Sequence, residues 1–217
     1  MSQAASRVRG TGRTSYHHGD LPNALADAAT EMARVGGPDA IVLRAAARAA
    51  GVSAAAAYRH FADHDELLQV VRERAIDALG AAMRTSLDAG QPLADPAAES
   101  LRRMHALGRA YIDFALTNPG LFRTAFCRPD SPVPDVADKI ASRRPYALVS
   151  GVLDELVEHG VLDAARRPGA EISAWAAVHG LATLLVDGPL ALLTEEQREM
   201  AIDRHSEFVL NGITGPR

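Results

Sequence analysis

Tyr58, Arg59 and His60 stand side by side in this chain, directly before Phe61. A phenol, a guanidinium and an imidazole in one run offer hydrogen-bond donors and positive charge, the chemistry that contacts phosphate. Hydrolytic or metal chemistry is not indicated. His105, His159 and His179 are scattered, there is no His-Glu-x-x-His run, and Cys127 is the single cysteine. Neither a glycine-rich phosphate loop nor a nucleophile elbow occurs. No enzyme, metal site or cofactor is expected.

The elements that position the phosphate-contacting run read as short helices. A helix from about Leu43 to Ala50 ends at Gly51, which tolerates the left-handed backbone of a sharp turn. Val52 supplies an apolar plug beneath the turn. Ser53 is an N-cap for a second helix, Ala54 to His60. This spacing is that of a helix-turn-helix, whose second helix enters the major groove of double-stranded DNA. From Met1 to Phe61 the arginines 7, 9, 13, 34, 44, 48 and 59 outnumber the acids Asp20, Asp27, Glu31 and Asp39, although the whole chain has a net charge of −4. A local basic excess suits a phosphate-binding region.

Flanking patterns complete an all-α reading of about nine helices. Residues 1–19 read as a flexible polar tail. Asp20 is expected to cap a helix with Pro22 just inside, carrying Leu21, Leu25, Ala28, Ala29, Met32 and Val35 inward to a stop at Gly36-Gly37. Asp63, with Glu66 three residues on, forms a capping-box pattern for a longer helix with Leu67, Leu68, Val71, Ala75, Leu79 and Met83 inward. After a linker at 88–92, Asp95-Pro96 starts a helix ending at Asn118-Pro119, and a short apolar piece spans Leu121 to Phe126. The proline-rich loop Arg128–Pro134 precedes a helix from about Asp135 to His159, stopped by Gly160. Further helices run from Ala170 to Val186 and, behind a Thr194/Gln197 capping box, to Leu210. The spacing divides the chain into a tail (1–19), a helix-turn-helix domain with its linking helix (20–86) and a second helical domain (92–212).

The run Gly51-Val52-Ser53-Ala54-Ala55-Ala56-Ala57-Tyr58-Arg59-His60-Phe61, then Asp63 and Asp65-Glu66-Leu67-Leu68, resembles the signature of the TetR/AcrR repressors. The match extends back through Leu43-Arg44 to Asp20. The resemblance implies that Tyr58 and His60 contact phosphate, that Phe61 is core, and that Arg44 lies near DNA. It puts Ser53, Ala54, Ala55 and Arg59 on or beside the reading surface. His64 stands where the family usually has lysine, and Val42 where a hydroxyl residue commonly caps. Ala46 and Ala57 replace larger aliphatic residues, so the small domain is expected to be of modest stability. The alanines can touch thymine methyls but make no bidentate base contact. Specificity then leans on Arg44, Arg59, Tyr58, DNA shape and the arginines of the tail.

Trp175-Ala176-Ala177-Val178-His179-Gly180 is similar to the "WHG" type of C-terminal domain found in some TetR-like proteins. Trp175 and His179 share a helix face, as pocket lining or as core. The other candidates for a ligand pocket are Met104, His105, Tyr111, Phe114, Phe122, Phe126 and Cys127, a mostly apolar set that suits a hydrophobic or amphipathic small-molecule effector. The resemblance assigns ligand binding and dimerisation to the second helical domain (92–212). It implies a homodimer through the last two helices, and Leu181, Leu184, Leu185, Ile202, Phe208 and Val209 fit either that interface or an internal core. The reading is a ligand-responsive repressor on a palindromic operator. The alternative is a helix-turn-helix-derived protein-interaction module. With no spanning apolar segment, no signal peptide and one cysteine, a soluble cytoplasmic protein is expected.

Overall fold

A computed structural model describes residues 20–127 and 144–215. The tail 1–19, the Arg128–Pro134 loop and the expected helical stretch 135–143 lie outside these residues. Among the described residues the chain forms nine α-helices: α1 Leu21–Gly36, α2 Leu43–Ala49, α3 Ala54–Ala57, α4 His64–Ala89, α5 Pro96–Thr117, α6 Pro119–Phe126, α7 Arg144–Glu158, α8 Ala170–Val186 and α9 Glu195–Thr214. Short 3-10 turns cover 38–40, 164–166 and 189–192. None of the described helices is long and apolar enough to cross a membrane.

Helix α1 packs on α2, α4 and α6. It buries Leu25, Ala26, Ala29 and Ala33, while Val35, expected inward, is 84% exposed. The buried face follows the four-residue step from Leu25 through Ala29 to Ala33, and Val35 falls on the other side. Leu21, Ala28 and Met32 are partly buried beside the core. The Asp20 carboxylate accepts a bond from the Asn23 side-chain amide, not from the helix backbone. Its backbone lies away from the extended conformation that capping residues adopt.

Long α4 joins the two parts of the molecule, with Leu67, Val71, Ala75, Leu79 and Met83 buried as expected and Leu68 at the core's edge. Its cap differs from the simple box in one respect. Asp63 accepts from the Glu66 amide at 2.9 Å, but the Glu66 carboxylate reaches back to the Ala62 amide at 2.7 Å rather than to that of Asp63. The helix takes in Asp88 and Ala89, the first two residues of the stretch 88–92 expected as a linker.

Helix α5 is the hub of the second part, packing on α4, α7, α8 and α9. Asp95 caps it through the Ala97 amide. The Thr194/Gln197 box caps α9 in both directions, at 3.3 and 3.0 Å. That helix continues past Leu210 to Thr214. Gly160 takes the left-handed conformation after α7, and the Val161 and Leu162 amides close back onto Leu156 O.

Candidate DNA-reading surface and effector site

The turn between α2 and α3 is built as its residues dictate. Gly51 adopts φ +73°, its amide bonds Arg48 O, and the Val52 amide bonds Ala47 O. These bonds satisfy carbonyls that α2 would otherwise leave open. Val52 is partly buried against the core. Ser53 Oγ accepts from the Ala56 amide at 3.2 Å. Val42, as expected of an apolar side chain, makes no capping bond at the start of α2.

Helix α3 is shorter than its spacing suggests. The α-helix ends at Ala57, and Tyr58–His60 form turns whose Arg59 and His60 amides reach back three residues instead of four. Ala57 and Phe61 are core residues. Arg44, Ser53, Ala55, Tyr58, Arg59, His60 and His64 are exposed, and Ala54 is half-buried. Arg44, Arg48 and Arg59 have no ion-pair partner among the described residues. By contrast Arg34 pairs with Glu31 and Arg74 with Asp27. Three unneutralised guanidiniums therefore lie on α2 and just beyond α3, available to an external anion.

The second assembly is aromatic. Tyr111 on α5, Phe122 and Phe126 on α6, and Trp175 and His179 on α8 come together with ring centroids 4.7 to 6.2 Å apart. Trp175 Nε1–H donates to Tyr111 Oη at 3.3 Å, and Tyr111 Oη lies 2.8 Å from His179 Nδ1. Burial pushes the Tyr111 hydroxyl well above its usual range, against the Trp175 donor, and pushes the His179 imidazole down toward its neutral form. Tyr111 and Phe122 are buried, whereas Phe126, Trp175 and His179 are half-buried. Met104 and Phe114 are buried along α5 outside these ring contacts. His105 is exposed, because its neighbour Met104 occupies the inward position. Cys127 donates to Thr124 O at 3.2 Å.

The Asn118–Phe126 run resembles, like the Trp175–Gly180 run, a subgroup of TetR-like C-terminal domains, but three long-range contacts that the sequence does not reveal bind α6 to both regions. A Cβ at Gly120 would collide with the carbonyl oxygens of Ala33 and Arg34, so α6 starts against the exposed end of α1. Arg34 donates to Asn118 Oδ1 at 2.8 Å across the same junction. At its other side Arg123 forks onto Asp187, just past α8, at 2.6 and 2.8 Å. The Asn118-Pro119-Gly120 run was the available signal, but only packing reveals what its glycine faces.

Two family profiles match the chain. That of "Bacterial regulatory proteins, tetR family" covers residues 25–71, and that of "Tetracyclin repressor-like, C-terminal domain" covers residues 104–207. Among solved structures, a protein of unknown function from Rhodococcus sp. RHA1 is similar at 26% identity and TM-score 0.74, over 93% of this chain and all (100%) of that one. A TetR family transcription regulator from Marinobacter aquaeolei VT8 is 20% identical with TM-score 0.60, over 87% and 94% of the two chains. A TetR family transcriptional regulator from Thermus thermophilus is 23% identical with TM-score 0.53, over 89% and 99%. Among curated proteins none matches the chain.

Proposed function

The chain belongs to the TetR family of DNA-binding transcription regulators, not enzymes, and from that premise we propose that it is a ligand-responsive repressor binding a palindromic operator as a homodimer. Residues 20–86 read DNA, and residues 92–212 bind the effector and dimerise. The observation that carries this reading is the capped α3 flanked by exposed, unpaired Arg44, Arg48 and Arg59. Arg44, Tyr58, Arg59 and His60 hold phosphate, with His64 at the rim. Ser53, Ala54 and Ala55 face the groove, where small side chains permit close approach but few directed base contacts.

One α3 buries too little surface for tight binding, so two-fold symmetry supplies a second copy. Support comes from apolar residues of the last two helices. Leu181, Leu185 and Ile202 are buried within the subunit, whereas Ile172, Leu184, Met200 and Phe208 are exposed, Phe208 by 78%. A second copy of the chain covers them.

The effector occupies the open side of the aromatic cluster formed by Tyr111, Phe122, Phe126, Trp175 and His179. Coupling runs through α6, which carries Phe122 and Phe126 at one end of its contacts and rests Gly120 on α1 at the other. A ligand that displaces Phe122 or Phe126 moves α6, and α1 must follow. That shifts the population toward dimers whose α3 helices no longer fit successive grooves.

Selection of binding sites from random duplex DNA at two salt concentrations tests the proposal. A two-fold motif with half-sites about one helical turn apart is the expected result. Failure to enrich any motif would remove the repressor reading and favour a protein-interaction module.

A further inference from the structure

The polar atoms inside the aromatic cluster form a directed chain. The Trp175 indole nitrogen only donates, and Tyr111 Oη accepts from it. Between Tyr111 Oη and His179 Nδ1, 2.8 Å apart, one group gives a hydrogen to the other. Were Nδ1–H the donor, the tyrosine oxygen would accept twice, and its own hydrogen would have no acceptor in a buried side chain. The satisfied arrangement has the Tyr111 hydroxyl donating to Nδ1. The hydrogen of neutral His179 then sits on Nε2.

Nε2 has no hydrogen-bond partner among the described residues. The imidazole carrying it is half-buried, with the Phe126 ring centroid 4.7 Å away and the Phe122 centroid 5.4 Å away. Burial holds the ring toward the uncharged state. The nearby Arg123 of α6 is already forked onto Asp187. The cluster thus holds a neutral donor among aromatic faces, with no uncommitted cation of its own.

We infer that His179 Nε2–H is the polar handle of the effector site, and that the effector is an uncharged, ring-containing molecule with one carbonyl-type acceptor. This rests on the reading of the cluster as the effector site. Tyr111 and Trp175 are positioning residues that set the tautomer and ring orientation of His179. A hydrocarbon of the same shape leaves Nε2–H unpaired. An organic cation meets a donor, and a carboxylate finds no full charge to pair with. Flat rings suit the faces of the half-buried Phe126 and Trp175.

The test uses the full chain. Long-range proton–nitrogen NMR should show His179 as the Nε2–H tautomer, with a mixed tautomer in Tyr111→Phe. An Nδ1–H tautomer in the wild type overturns the inference. Binding of matched ketone and hydrocarbon pairs, acetophenone with ethylbenzene and fluorenone with fluorene, is then read from Trp175, the only tryptophan of the chain, and by calorimetry. The ketone of at least one pair should bind about three- to tenfold more tightly, the range of one net hydrogen bond. His179→Phe should abolish the difference while the hydrocarbon still binds, and Tyr111→Phe should narrow it. Equal binding within each pair, or a preference that survives His179→Phe, overturns the polar handle and leaves the effector site standing. If neither member of any pair perturbs Trp175, the cluster is closed core and the effector-site reading fails as well. Should His179→Phe not fold, the tautomer and Tyr111→Phe decide.

Discussion

The α1–α3 unit and the helical body behind it are filled with different material. Ala26, Ala29, Ala33, Ala46, Ala47, Ala50 and Ala57 occupy much of the first core, beside Leu25, Ile41, Leu43 and Phe61. The second is packed with Leu107, Ile112, Leu121, Leu153, Leu156 and Ile202, all fully buried. Burial energy scales with apolar area, so the alanine core contributes less per residue while letting short helices approach closely. Charge differs around the α2–α3 turn, where Arg44, Arg48 and Arg59 stay open, whereas Arg102, Arg109, Arg123 and Arg167 of the body are held by carboxylates at 2.6 to 2.9 Å. Arg84 and Arg204 of the body are open too, and Arg34 of α1 is paired. The proposed function gives the three open arginines beside the α2–α3 turn an outside anion to meet.

The largest effect is expected in the body. Leu153→Ala removes a fully buried side chain and should cost about 2–5 kcal/mol in urea denaturation. A loss well under that range would mean the leucine core is not the stronger one. Gly120→Ala should come next, at about 1–3 kcal/mol, because its methyl group has only the α1 carbonyls to displace. DNA affinity should fall with it, and normal affinity in a folded variant would remove α6 from the coupling route.

Smaller changes probe the reading unit. Ser53→Ala should lower stability by about 1 kcal/mol through loss of the α3 cap, and Val42→Thr should raise it by up to about that amount by capping α2. Arg59→Ala should flatten the salt dependence of DNA binding by about one counterion. Arg123→Ala should leave that slope unchanged, since this guanidinium already has its carboxylate. Equal slopes for Arg59→Ala and wild type would break the charge comparison.

The smallest expected effect concerns pH. Burial lowers the His179 and His205 pKa values below 6.5 in the folded chain. The unfolded chain then binds more protons as pH falls through that value, so stability should decline on acidification. His179→Phe should reduce this decline in denaturation curves at pH 7 and pH 5. An unchanged pH dependence would show that His179 does not titrate on unfolding.

Much of the local structure was legible because it depends on short-range chemistry. Gly51, Ser53, Asp95 and Thr194 act within a few residues of themselves, and each holds the turn or cap its type suggests. Asp20 did not cap, because its own backbone leaves the extended region. Inward helical position brought Tyr111, Phe122 and Phe126 forward as candidates, and the resemblance to the WHG-type domain brought Trp175 and His179. Neither could tell that Tyr111 bridges Trp175 and His179, since those bonds span 64 and 68 residues.

The sequence by itself determined the all-helical class, the α2–α3 turn and the family signature that runs through it. These arise from backbone preferences and periodicity, which act over one or two helical turns. Only the tertiary structure decided which apolar side chains face inward. It turned Val35 and Phe208 outward while burying Ala33 and Ile202, and it withdrew His105 from the aromatic cluster. It also set Gly120 against α1. Periodicity marks a stripe on a helix, but which arc of that stripe is covered depends on the neighbours that arrive from distant parts of the chain.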